Sequence, residues 1–204
     1  MIKNYLSTNS KLRKSGIFSW GIPAYRAPDG TITCPGASAC VTGCYARAGF
    51  YVMPNVLAAQ QARLDLSRNE QFVAVMNAEI KRRDIKRLRI HDSGDFYSRQ
   101  YLNAWLAIIS MNEQTLFYAY TKMVPLILTT LPMPKNFIVI FSEGGKWDKD
   151  IFESDRHSRV FESVAELKRA GYADAHKFDH NAFGKNHKIG LVYHGVASKA
   201  WATT

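Results

Sequence analysis

Three cysteines, Cys34, Cys40 and Cys44, are all the thiols of a 204-residue chain, and they fall within eleven residues. Three thiolates in one loop can hold a metal ion or an iron–sulfur cluster and leave one coordination position open for chemistry. Pro35, Gly36 and Gly43 let the backbone wrap closely around such a group. Three readings stand side by side: a [4Fe–4S] cluster, a zinc ion closed by a histidine such as His91, and unliganded thiols. A second constellation, His91-Asp92-Ser93-Gly94-Asp95, offers a proton donor in His91 or Asp92 and a carboxylate in Asp95. The alternative is a helix-capping network built from the same acidic residues. Tyr118, Tyr120 and Lys122 alternate, so on a strand they share one face, with Lys122 at the rim to meet a carboxylate or phosphate. The duller alternative is two core aromatics and a solvated lysine. Glu143, before Gly144-Gly145, either contacts a ribose hydroxyl or turns the chain. His176, His180, His187 and His194 crowd the C-terminal segment without convergent metal spacing.

These groups need elements that place them together. Short β-type runs alternate with amphipathic helical ones. Thr31-Ile32-Thr33 reads as the strand entering the cysteine loop. Helical patterns follow over Val56 to Arg68 and from Phe72 to Ile80, the second with Asn69 as a cap. Leu88 to His91 reads as a strand, and Ser98 caps a helix whose apolar face carries Tyr101, Leu102, Trp105, Leu106 and Ile109. Leu116–Thr121 and Asn136–Phe141 read as strands, with a short helix around Pro125 to Thr130 between them. Arg159 to Phe161 and Ile189 to Tyr193 complete the set. Ser163 to Glu166 has the form of a capping box, and Gly171 marks a helix stop. Continuous apolar runs suit strands buried on both faces, as in parallel sheets. About six strands joined by helices predict an α/β chain, a partial (β/α)6-type barrel with a mostly parallel sheet and outer helices. In such sheets the chemistry gathers at the carboxyl ends of the strands, where the cysteine loop, His91 to Asp95, Tyr120 to Lys122 and Ser142 to Gly145 fall.

Composition sets the outer bounds. Apolar residues make up 47% and charged residues 22%, the balance of a globular protein with one substantial core. Residues 1–204 read as a single domain. No apolar run is long enough to span a bilayer, and no secretory signal opens the chain, so a cytoplasmic location and no membrane partner are expected. A formal charge of +10 favours polyanionic partners, a small phosphorylated molecule or a nucleic acid. The densest basic run, residues 81–89, reads as a solvated helix end.

The cysteine loop followed by Ser93-Gly94-Asp95 resembles the radical S-adenosylmethionine (SAM) superfamily. That resemblance implies a cluster held by Cys34, Cys40 and Cys44, with SAM on the fourth iron and Ser93, Gly94 and Asp95 at its amino group. Tyr120, Lys122 and Glu143 would then shape the pocket, and reductive cleavage of SAM would give a 5′-deoxyadenosyl radical. The spacing here, Cys-x5-Cys-x3-Cys, is longer than the superfamily's usual Cys-x3-Cys-x2-Cys. Residues 30–145, with Cys-Pro-Gly, Cys-Tyr-Ala, Arg89 to Phe96 and Tyr118 to Lys122, more closely resemble a phage-encoded family known as gene product eighty-eight. A phage origin would place the protein in the host cytoplasm. Two other functions fit the same residues: a non-catalytic cluster or zinc protein that binds nucleic acid or a host protein, and a zinc hydrolase.

Overall fold

The computed structural model describes residues 4–175 and 179–193. Its centre is a seven-stranded sheet: β1 (Phe18–Trp20), β2 (Arg87–Ile90), β3 (Leu116–Thr121), β4 (Phe137–Ser142), β5 (His157–Phe161), β6 (Ala173–Asp174) and β7 (Lys188–Val192). The order is β1-β2-β3-β4-β5-β7-β6, and every pairing is parallel. The α/β reading holds, and the all-parallel sheet is consistent with a partial barrel. It has one strand more than expected. The first strand is also not where the sequence placed it. Thr31-Ile32-Thr33 makes only an isolated bridge, Arg26 with Ile32, while Phe18-Ser19-Trp20 pairs with β2. The three-residue strand is too short to show alternation, and its apolar residues look like any loop anchor.

The helices are α1 (Ser10–Lys14), α2 (Pro54–Ser67), α3 (Phe72–Arg82), α4 (Arg99–Ser110), α5 (Val124–Leu128) and α6 (Val164–Arg169). Pro54 opens α2 at its first turn, where a missing N–H costs nothing. Ser98 caps α4 by accepting from the Tyr101 amide at 3.2 Å. Asn69 does not cap α3 directly; its Oδ1 accepts from the Gln71 amide at 2.8 Å, a turn that leads into the helix. Ser163 accepts from Glu166 N at 3.2 Å, but the Glu166 carboxylate reaches back to the Glu162 amide, one residue before the position a capping box would use. Gly171 ends α6 at φ +79, a conformation only glycine adopts without strain.

The two sheet faces have separate cores. Leu88, Ile90, Phe117 and Ala119 pack outward against Trp20, Phe72, Tyr101 and Trp105. Tyr118 and Ile140 face the other way and meet Leu12, Ile17, Ala182 and Ile189. The residues before and within α1 join the sheet's two edges. Ser7 bridges Ser19 on β1, Leu12 packs beside Ala175 and Ala182, and Lys11 Nζ donates to the Ala175 carbonyl at 3.0 Å. Among the described residues no helix is long and apolar enough to cross a membrane.

Candidate functional site

At the carboxyl ends of β1 to β4 lies a cavity of about 450 Å³. Lining it are the three cysteines, His91 to Asp95, Tyr120, Lys122 and Glu143, whereas Tyr118, expected on the same face as Tyr120, is buried in the core. They arrive on four segments, the long loop after β1 and the turns after β2, β3 and β4.

The cysteine loop is pressed onto this rim by glycine. A Cβ on Gly36 would stand 2.6 Å from the Lys122 carbonyl oxygen, too close for any side chain. The Cys40 amide donates to the Gly144 carbonyl at 3.1 Å, and the Tyr45 hydroxyl donates to the Asp92 carbonyl. So the loop is tied to two strand ends at once. All three thiols are free and half-buried. Burial pushes the Cys34 thiol up to about 12, and burial likewise raises Cys44. Backbone N–H groups partly oppose this: Tyr25 N donates to Cys34 Sγ at 3.3 Å, and the Ala46 amide bonds to Cys44.

An amide directed at Cys34 Sγ is the kind of donor that a cluster ligand receives, and a cluster's charge would compensate thiolates that burial disfavours. A single zinc ion asks for something else, sulfurs about 2.3 Å from one point. Among the described residues no group of three His, Cys, Asp or Glu side chains is placed to hold one metal ion. The expected ligand trio thus shares a cavity without converging. His180 and His187 form no such group either, and His176 and His194 lie outside the described residues.

The turn after β2 is a knot of buried polar groups. His91 ends the strand at φ +67. Its Nε2 lies 3.0 Å from the Tyr101 hydroxyl, which itself accepts from Trp20 Nε1 at 2.8 Å. The Tyr101 oxygen has a second lone pair, so either ring tautomer can meet it, while His91 Nδ1 is buried without a partner. Burial, then the nearby Arg89 cation, lowers the His91 pKa to about 3. A group so hard to protonate is a poor general acid at neutral pH. Asp92 is buried, and burial raises its pKa; its Oδ2 accepts from Ser19 Oγ at 3.3 Å. Ser93 Oγ donates to the Ile22 carbonyl at 2.7 Å and accepts from Gln60 Nε2. Gly94 sits at φ +79, where a Cβ would come within 2.2 Å of Ile22 Cγ1.

Asp95 does not cap a helix. Its carboxylate accepts from Thr121 Oγ1 at 2.6 Å, the Lys122 amide at 2.8 Å and the Phe96 amide at 2.7 Å, stapling the β2 turn to the end of β3. Its own amide donates to the Thr33 carbonyl, so the stalk of the cysteine loop hangs on the same residue. Burial raises its pKa, opposed by these bonds. Lys122 is neither solvated nor waiting for an anion. Its ammonium donates to Ser142 Oγ at 2.7 Å, the Glu143 carbonyl at 2.7 Å and the Ser142 carbonyl at 3.2 Å, which uses all three protons. Glu143 is held by Arg159 through Nε at 2.5 Å and Nη2 at 3.1 Å, and its amide donates to Ser158.

Three lining or bordering residues were not singled out from sequence. Arg89, Lys11 and Asp179 meet beside the cavity wall formed by β2 and β3, where Asp179 accepts from Arg89 Nη1 at 3.1 Å and pairs with Lys11 at 2.5 Å. Arg89 had been absorbed into the basic run 81–89. Only Lys81 and Arg82 end a helix; Arg89 lies on β2 and points inward. The signal was strand parity, since Arg87-Leu88-Arg89-Ile90 alternates. Lys11 and Asp179 carry no local signal, because only the closed fold brings them together.

A family model described as Gene product 88 matches residues 3–202, nearly the whole chain. No curated protein and no solved structure matches it.

Proposed function

The chain belongs to the Gene product 88 family, and from that premise we propose that it is a cluster-binding enzyme whose cavity takes a [4Fe–4S] group and SAM. One observation carries this reading: eleven residues nominated by their chemistry, on four separate segments, line one cavity of a size suited to a small molecule. Cys34, Cys40 and Cys44 would hold the cluster, with the Tyr25 and Ala46 amides tuning two of the sulfurs. A cluster held there would supply electron-transfer chemistry toward SAM, with the electron drawn from an external one-electron reductant.

The protein's share is placement. Asp95 has three of its roughly four acceptor positions filled, which leaves one lone pair for an ammonium. Gly94 brings backbone close to that point. Lys122 and Glu143 are committed within the fold, so they shape the wall rather than donate to a ligand. His91 orients the turn through Tyr101 and holds no exchangeable charge at neutral pH.

Anaerobic purification with iron and sulfide assays tests the ligation. Any of Cys34→Ala, Cys40→Ala or Cys44→Ala should lose most of the bound iron. Full iron in all three variants sinks the proposal. Electron paramagnetic resonance of the reduced protein, with and without SAM, tests the cosubstrate. A spectrum that SAM leaves unchanged turns the reading to a non-catalytic cluster protein.

A further inference from the structure

The part of the cavity wall formed by β2 and β3 has its own chemistry. Lys11 and Arg89 approach the Asp179 carboxylate together, at 2.5 Å and 3.1 Å, and Tyr118 Oη donates to it at 2.8 Å. Asp179 is 1% exposed, so this charge group sits inside the protein. Asp179 holds the largely buried Arg89 from one side, while Lys11 is 29% exposed and reaches solvent, and a second carboxyl, Asp92, lines the same cavity.

The same place has two unused hydrogen-bonding atoms. Arg89 Nε and the Tyr120 hydroxyl are buried and have no partner, although both residues line the cavity. They are neighbours, since the Arg89 guanidinium lies 4.9 Å from the centre of the Tyr120 ring. Burial raises the Tyr120 pKa, so its hydroxyl stays protonated and able to donate. An orphaned buried donor is costly when left without an acceptor.

We propose that this part of the wall is an anion-binding site, where Arg89 Nε and Tyr120 Oη donate to a carboxylate or phosphate group carried by the substrate. Its oxygens would satisfy both donors, while Asp179 holds Arg89 in position. The substrate is then an acid or a phosphate ester. The site does not depend on the cluster, because none of its groups is a cysteine.

Tyr120→Phe isolates the claim, since it removes one oxygen that bonds to nothing in the fold. Metal-free protein would be titrated calorimetrically with inorganic phosphate and with acetate at constant ionic strength. Saturable binding of one of them is expected, weakened about fivefold to tenfold by Tyr120→Phe, with the variant's melting temperature equal to or above that of the parent. Preference for phosphate assigns a phosphorylated substrate, and preference for acetate a carboxylic acid. Saturable binding of neither, or equal binding by the variant, overturns the site. Iron content is read on separate material, so failure of the cluster proposal leaves this result standing.

Discussion

His91 shows how one side chain can be placed at a site and withheld from acid–base work. The Trp20–Tyr101–His91 chain of hydrogen bonds anchors the ring, and burial beside Arg89 keeps it neutral. The folded pKa of about 3 lies below the ordinary 6.5, so the unfolded chain binds more protons between those values. The stability tied to His91 is therefore complete above about pH 6.5 and is lost as pH falls towards 3. Lowering the pH from 7 to 5 should cost about 2 kcal/mol through this residue. Urea unfolding of the parent and His91→Gln at both pH values measures the difference in slope; parallel losses in the two proteins would contradict it. Gly94 makes the opposite point, a residue chosen for what it lacks. Gly94→Ala adds a methyl group 2.2 Å from Ile22 in a left-handed conformation. A loss of about 2 kcal/mol or more is expected in the same unfolding assay.

Helix α4 was legible because each of its signals is local. Ser98 caps it, Tyr101, Leu102, Trp105 and Ile109 recur at helical spacing, and all four are buried as the pattern requires. Ser98→Ala should cost about 1 kcal/mol, visible as a lower urea midpoint. β3 was equally clear, with bounds of Leu116–Thr121 in both sequence and structure. β1 was not, since three residues cannot display a period and its partner, β2, lies almost seventy residues away. The candidate site divides along the same line. Residue types and strand ends nominated the rim. Which of those groups were already spent, as Lys122 is on Ser142 and Glu143, depended on contacts across strands that no spacing encodes.

At the scale of the whole molecule, the N-terminal segment bridges the two edges of an open sheet. Leu12 is 1% exposed and belongs to the same core as Tyr118, Ile140 and Ile189, though it comes from a helix of five residues. Leu12→Ala should cost about 2–4 kcal/mol, as a core deletion does and as a surface-helix change would not. Chemical denaturation checks this, and a loss under 0.5 kcal/mol would show α1 to be peripheral. The strand order has a further consequence. β7 lies between β5 and β6, yet it follows both along the chain. A ribosome that has released β6 has therefore not released the strand to which β6 must bond. Until translation passes Val192, the nascent chain keeps β5 and β6 without the strand that joins them.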